Sequence, residues 1–174
     1  MENMKEIKIE KITLNCGIGA DQQKLERAMK LLQIIAESKP IKTVSKKRIP
    51  SWGVRIGLPL GCKVTVRGKK AYDLLKRLLE PLGNKLKSRQ IIPGSVAFGI
   101  KEYIEIPGMQ FQRDVGILGL EVCVTLTRAG YRIERKKLKS GKVPKRHKIT
   151  REETINFMKE KFNTQILGKK GEVQ

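Results

Sequence analysis

Acidic residues are the first thing this sequence runs short of, and the shortage is local. Residues 135–151 hold nine Lys or Arg and no acid, and residues 38–89 hold fifteen against Asp73 and Glu80 alone. The two stretches together carry +22, one more than the +21 of the whole chain, so everything else is close to neutral. A solvated surface usually intersperses both signs, which these stretches do not. Charge concentrated in this way opposes compaction unless a polyanion neutralises it, and the abundant intracellular candidates are nucleic acid and anionic membrane.

Other scarcities narrow the chemistry. The single histidine, His147, sits in Pro-Lys-Arg-His-Lys with no carboxylate nearby to orient it, so it makes a poor general base. Cys16, Cys62 and Cys123 are odd in number and far apart, and no two form a Cys-x-x-Cys pair. They read as reduced core residues, neither a disulfide framework nor a zinc site. No apolar run approaches the roughly 18 residues of a spanning helix, and the opening Met-Glu-Asn-Met-Lys-Glu lacks the apolar stretch of a signal peptide. A cytoplasmic, non-catalytic protein without a membrane partner is expected. No cofactor is expected either. Gly17-Ile-Gly19 hints at a phosphate loop, but Gln22 stands where the third glycine of the dinucleotide fingerprint belongs, so a strand-to-helix turn explains it better.

What is present is enough apolar sequence, 39%, for one core. Residues 11–16 alternate Ile12 and Leu14 against Lys11, Thr13 and Asn15, the period of a half-buried strand. Asp21 can cap a helix with Leu25, Ala28, Met29, Leu32, Ile35 and Ala36 on one face, stopped by Pro40. A short strand at 41–44 precedes a basic loop at 45–55, bent by Pro50 and Gly53. In residues 62–67, Cys62, Val64 and Val66 face one way and Lys63, Thr65 and Arg67 the other. A second helix carries Ala71, Tyr72, Leu75, Leu78, Leu79 and Leu82 and ends near Gly83. Even positions are apolar at Val96, Phe98, Ile100, Ile104 and Ile106, and again over 120–126, which predicts two long strands. Thr150 and Glu153 form a capping box for a last helix with Ile155, Met158 and Phe162, and the tail at 168–174 is expected to be disordered.

This order predicts a single α+β domain over residues 1–167. It would be a two-layer arrangement with a mostly antiparallel sheet and helices on one face only. The face carrying Lys11, Thr13, Asn15, Lys63, Thr65 and Arg67 is then open and basic, with basic segments at 45–55 and 135–151 beside it. RNA is the expected partner rather than DNA, because no helix-turn-helix, finger or zipper pattern appears. Aromatics are only 5% of the chain, and residues 63–67 display Thr and cations where a base-stacking platform would place rings. Contacts to the backbone and 2′-hydroxyls of folded RNA fit better. Trp52 is the exception, flanked by Lys46, Lys47, Arg48 and Arg55 in a loop where it either stacks on an exposed base or anchors the loop. In the distal basic segment Arg135, Lys136, Lys137, Lys145 and Arg146 are the candidate phosphate contacts.

Four motifs carry a family resemblance: Lys11-Ile-Thr-Leu-Asn-Cys-Gly-Ile-Gly19, Lys39-Pro40, Ile56-Gly-Leu-Pro-Leu-Gly-Cys-Lys-Val-Thr-Val-Arg-Gly68 and Phe98-Gly-Ile-Lys-Glu102. In order and spacing they resemble the L-five family of large-subunit ribosomal proteins over about residues 7–166. Ile106-Pro-Gly108, Gly130-Tyr-Arg132 and the basic segment through His147 resemble its archaeal and eukaryotic members. The resemblance implies a protein of the central protuberance that binds 5S rRNA and large-subunit rRNA, approaches the peptidyl-site tRNA, and bridges to a protein in the small-subunit head. It implies 5S rRNA contacts at Asn15 and Thr65. A third such position, usually Gln in the family, is Ser38 here. It also implies a tRNA-facing loop at 47–55 and a bridge at 107–119. Bacterial members carry a longer insertion ending in Asp-Gly-x-Gly-Asn, where this chain has only Ile91-Ile-Pro-Gly-Ser95, so no contact is transferred from it. The competing readings are an RNA-processing enzyme with the same basic surface and a peripheral membrane protein. The first would need clustered carboxylates or a free histidine in a cleft, and the second an amphipathic basic helix.

Overall fold

The structure is a computed structural model and describes residues 4–168; the expected disordered tail, apart from Gly168, lies outside the described residues. The chain begins with β1 (Ile7–Gly17) and α1 (Gln22–Ala36), whose Asp21 cap accepts the backbone N–H groups of Gln23 and Lys24. Then come β2 (Ile41–Val44), β3 (Pro59–Val66) and α2 (Lys69–Leu79). The second half holds β4 (Lys85–Lys87), β5 (Ile91–Ile92), β6 (Ser95–Ile100), β7 (Leu120–Arg128), α3 (Arg151–Phe162) and β8 (Gln165–Leu167). Six strands form one sheet in the order β2-β3-β1-β7-β6-β5, every pair antiparallel, and β4 and β8 pair in parallel as a separate ribbon. The result is the expected α+β fold.

Alternation decides which side of the sheet is core. Ile12, Leu14 and Cys16 of β1, Val64 and Val66 of β3, Val96 and Phe98 of β6, and Val122, Val124 and Leu126 of β7 are all buried. They join Leu25, Leu32 and Ile35 of α1, Ala71, Leu75 and Leu78 of α2, and Phe157 and Met158 of α3 in one apolar core. The helices therefore lie on one face, as the uncovered polar positions require. A register shift between Ile9 and Lys11 of β1 inserts Glu10 as a bulge against β7. The extra residue lets Ile9 and Ile12 both reach the core, although a regular strand would put them on opposite faces.

Four expectations need correction. α1 ends at Ala36 because Glu37 adopts a left-handed conformation (φ 49°), three residues before Pro40. The strand expected to run to Ile106 stops at Ile100, and residues 103–105 form a 3-10 turn. The side chain that decides this is Tyr103. It is fully buried, its N–H donates to the Leu118 carbonyl at 3.1 Å, and its hydroxyl accepts the Gln112 N–H at 3.0 Å. Ile104 is thereby turned outward, while Ile106 returns to the core. Cys123 is not a core residue, since its odd position in β7 places it half-buried on the open face. Finally β4, β5 and β8 add strands that the alternation did not predict, being two or three residues each and too short to show a period.

Candidate nucleic-acid interface

The cross-strand register arranges the open face in rows. Asn15 of β1 stands between Lys63 of β3 and Glu121 of β7, and Gly99 of β6 lies beyond Glu121. One row along, Thr13 lies between Thr65 and Cys123, with Ala97 beyond. Lys63 and Arg67 are exposed, and Asn15 and Thr65 are half-buried. The Asn15 amide Nδ2 donates to Glu121 Oε2 at 3.1 Å, which fixes the orientation of the carboxamide. Cations gather on β1 and β3, whereas β7 and β6 present Thr, Cys, Ala, Ser and Gly with Glu121 at the end. Ser38 lies half-buried just after the left-handed Glu37, where the chain enters β2 at the edge beside β3.

The loop between β2 and β3 is a built turn. Ser45 Oγ donates to the Lys47 carbonyl at 2.7 Å, the Gly57 N–H returns to the Ser45 carbonyl at 2.9 Å, and Ile49 and Val54 bridge antiparallel. Val54 is buried and pins the base of the tip. Within the tip Pro50–Trp52 is a 3-10 turn, and Gly53 closes it at φ 65°, a conformation that favours glycine. Trp52 ends up 74% exposed, so it does not anchor the loop to the core. Lys46, Lys47, Arg48 and Arg55 surround it, all exposed.

The distal basic segment is also folded. Tyr131–Arg135 forms a 3-10 turn after β7, and the Glu10 carboxylate in the β1 bulge binds the Arg135 guanidinium through both nitrogens, NH2 at 2.6 Å. That guanidinium holds the Glu10 carboxyl below its ordinary range, against the opposing effect of partial burial. The Tyr131 hydroxyl accepts the Ile149 N–H at 2.7 Å, Glu134 accepts the Val143 N–H at 3.2 Å, and Val143 and Ile149 are buried. Around these tethers Lys136, Lys137, Lys145 and Arg146 remain exposed.

The predicted residues thus form three groups rather than one patch. Gly17 of β1 pairs with Gly61 at the foot of the β2-β3 loop, while Ile7 at the other end pairs with Arg128, just before the distal segment. The two basic segments therefore lie toward opposite ends of β1, a strand roughly 33 Å long at about 3.3 Å per residue, with Arg135 reaching back along it to Glu10. Asn15, Lys63, Thr65 and Arg67 lie on the open face between them. The residue that sequence reasoning missed is Glu121, the acid beside Asn15. The alternation over 120–126 points it to the open face, a signal masked by the cations of the neighbouring strands.

Comparison with known proteins matches the chain to two successive family models, "Ribosomal protein L5" over residues 2–55 and the C-terminal model of the same ribosomal family over residues 59–157. Among relatives named "Large ribosomal subunit protein uL5", that of Nanoarchaeum equitans is 46% identical over 165 residues, covering 94% of this chain and 98% of the relative. That of Sulfurisphaera tokodaii is 40% identical over 166 residues, covering 94% of each, and that of Methanosphaera stadtmanae is 41% identical over 167 residues, covering 95% of this chain and 99% of the relative. With two family models matched in succession and 40–46% identity to these relatives over nearly the whole chain, the chain belongs to the uL5 family of large ribosomal subunit proteins.

Proposed function

We propose that this ribosomal protein works as a single RNA-binding unit that anchors 5S rRNA in the central protuberance through the open face of its sheet. The observation that carries the reading is Asn15 and Thr65 on an uncovered face, in adjacent rows and flanked by Lys63 and Arg67. Two short polar side chains on a rigid sheet fix register, while the cations neutralise phosphates. Ser38, at the β2 edge, has a short reach where the family usually has Gln. The loop tip with exposed Trp52 reaches the peptidyl-site tRNA, and Arg135, Lys136, Lys137, Lys145 and Arg146 hold large-subunit rRNA at the opposite end. The loop at 107–119, whose Phe111 and Ile117 are exposed, meets a protein of the small-subunit head. The role is structural, non-catalytic and cytoplasmic. Among the described residues no helix is long and apolar enough to cross a membrane.

The test is a titration of the purified protein against 5S rRNA and a charge-matched duplex across a salt series, with Asn15→Ala and Thr65→Ala alongside. Specific recognition gives far tighter 5S rRNA binding at moderate salt, and each substitution weakens only that complex. If the two RNAs bind alike and lose affinity together with salt, the contacts are only electrostatic and the reading fails.

A further inference from the structure

Beside Asn15 the open face ends in a cleft of about 310 Å³. Asn15, Glu121 and Lys101 line it with polar side chains, and Gly17, Gly99 and Gly119 supply lining without side chains. Two of these glycines are not demanded by the fold. Neither Gly17 nor Gly99 has a positive φ. A Cβ at Gly17 would meet nothing within 4 Å, and one at Gly99 only the Leu120 carbonyl oxygen at 3.9 Å. Their effect is to leave the cleft empty. Gly119 differs, since a Cβ there would come within 2.7 Å of the Lys101 carbonyl oxygen.

The second observation is the sign of Glu121. An exposed carboxylate at the end of a phosphate-binding face repels the backbone that face is meant to attract, so its partner must be a donor rather than an anion. One oxygen already accepts the Asn15 amide, which aims the carboxylate and leaves acceptor capacity on it. Among RNA groups the fit is the Watson–Crick edge of an unpaired guanine. Its N1–H and N2–H are parallel donors matched to one carboxylate, and its O6 accepts from an ammonium. Adenine turns a bare N1 acceptor toward the same carboxylate, and uracil flanks its single N–H with two carbonyls.

We propose that this cleft seats one unpaired guanine of the bound RNA, with Glu121 accepting N1–H and N2–H and Lys101 donating to O6. The proposal rests on the RNA-binding reading above and adds a base-specific contact to it. Phosphates then track the β1-β3 half of the face, and a splayed base enters at the β7-β6 end.

The test uses the full chain and a 5S rRNA transcript probed with a 1,2-dicarbonyl reagent, which adds across N1 and N2 of accessible guanines. The wild type protects one unpaired guanine. Glu121→Gln, and separately Gly99→Val or Gly17→Val to fill the cleft, restore its reactivity while backbone protection elsewhere persists. Glu121→Gln lowers 5S affinity roughly ten- to hundredfold, the scale of a bidentate base contact, although it removes a negative charge. Inosine at that guanine weakens the wild type but not Glu121→Gln. The proposal is overturned if no guanine is protected, or if Glu121→Gln binds equally or more tightly, as simple repulsion requires. Should 5S rRNA bind no better than the duplex, it is the underlying reading that fails. Thermal melts establish that the variants are folded, and either glycine variant alone suffices if the other is not.

Discussion

Arg128, the last residue of β7, places its guanidinium NH2 2.6 Å from the Glu153 carboxylate in the first turn of α3, with its own side chain only 6% exposed. The same guanidinium donates through NH1 to the His147 carbonyl at 3.3 Å. One buried cation thus joins the sheet, the last helix and the end of the distal basic segment. Glu153 has a second task, because it also completes the capping box with Thr150. Glu153→Ala removes both a charged hydrogen bond and a helix cap and strands a buried cation, which predicts a loss of roughly 2–3 kcal/mol. Chemical denaturation checks this, and Glu152→Ala, one residue away and exposed, serves as the control expected to cost far less.

Three depressed carboxyls, those of Glu10, Asp21 and Glu153, make acid the weak side of this fold. Glu10 is lowered chiefly by Arg135, and Glu153 chiefly by the Thr150 backbone N–H and then Arg128. Groups whose folded pKa is lowered contribute stability fully above the unfolded value, roughly 4.3, and lose it as pH falls through the folded value. Thermal melts should therefore show stability falling below that point. Glu10→Gln should flatten part of the decline and free the distal segment from the sheet, raising amide exchange around residues 131–149.

Thiol labelling should separate the three cysteines. Cys16 and Cys62 are cross-strand partners buried on the core side, and the contact with Cys62, together with burial, raises the Cys16 thiol well above its ordinary value. Cys123 faces the open side. A maleimide at neutral pH is expected to modify Cys123 alone in the native protein, with the other two reacting only on unfolding. Mass spectrometry of the digested protein reads this directly, and bound 5S rRNA should slow the Cys123 reaction.

Gly61 tests the packing between β1 and β3. A Cβ there would lie 2.4 Å from the Cys16 carbonyl oxygen and 3.1 Å from Thr43 Oγ1, so backbone must move to admit it. Gly61→Ala should destabilise by about 1–3 kcal/mol, the range for overpacking a close-packed interior. Gly17→Ala, directly opposite with open space around its Cβ, should change stability little by comparison.

Trp52 is the only tryptophan, and its exposure makes it a reporter. Its emission should be that of a solvated indole, and Trp52→Ala should leave the unfolding free energy within about 0.5 kcal/mol of wild type. Addition of tRNA should quench or shift the emission if the loop tip stacks on it.

Periodicity made the main sheet and the helices legible, because long elements with one buried face repeat their pattern several times. The open face followed from the same alternation, and with it Asn15, Lys63 and Thr65. What stayed hidden depended on single contacts. Tyr103 breaks an apolar alternation that continues through Ile104 and Ile106, and only its buried hydrogen bonds show why the strand ends. Likewise Glu10 gave no sign in sequence that a bulge would aim it at Arg135, 125 residues away. The cleft beside Asn15 was equally illegible, because absent side chains leave no pattern.

The placement of β1 bears on how this protein is made. The first strand to leave the ribosome is central in the finished sheet, with β3 on one side and β7 on the other. While β3 follows within the first half of the chain, β7 emerges only after residue 120. Until then one edge of β1 presents unpaired N–H and C=O groups beside the apolar row Ile12, Leu14 and Cys16, a template for pairing with another nascent chain. A chain truncated before β7 should therefore aggregate or need a chaperone. One completed through β7 has closed that edge, and its last helix can dock onto an assembled sheet.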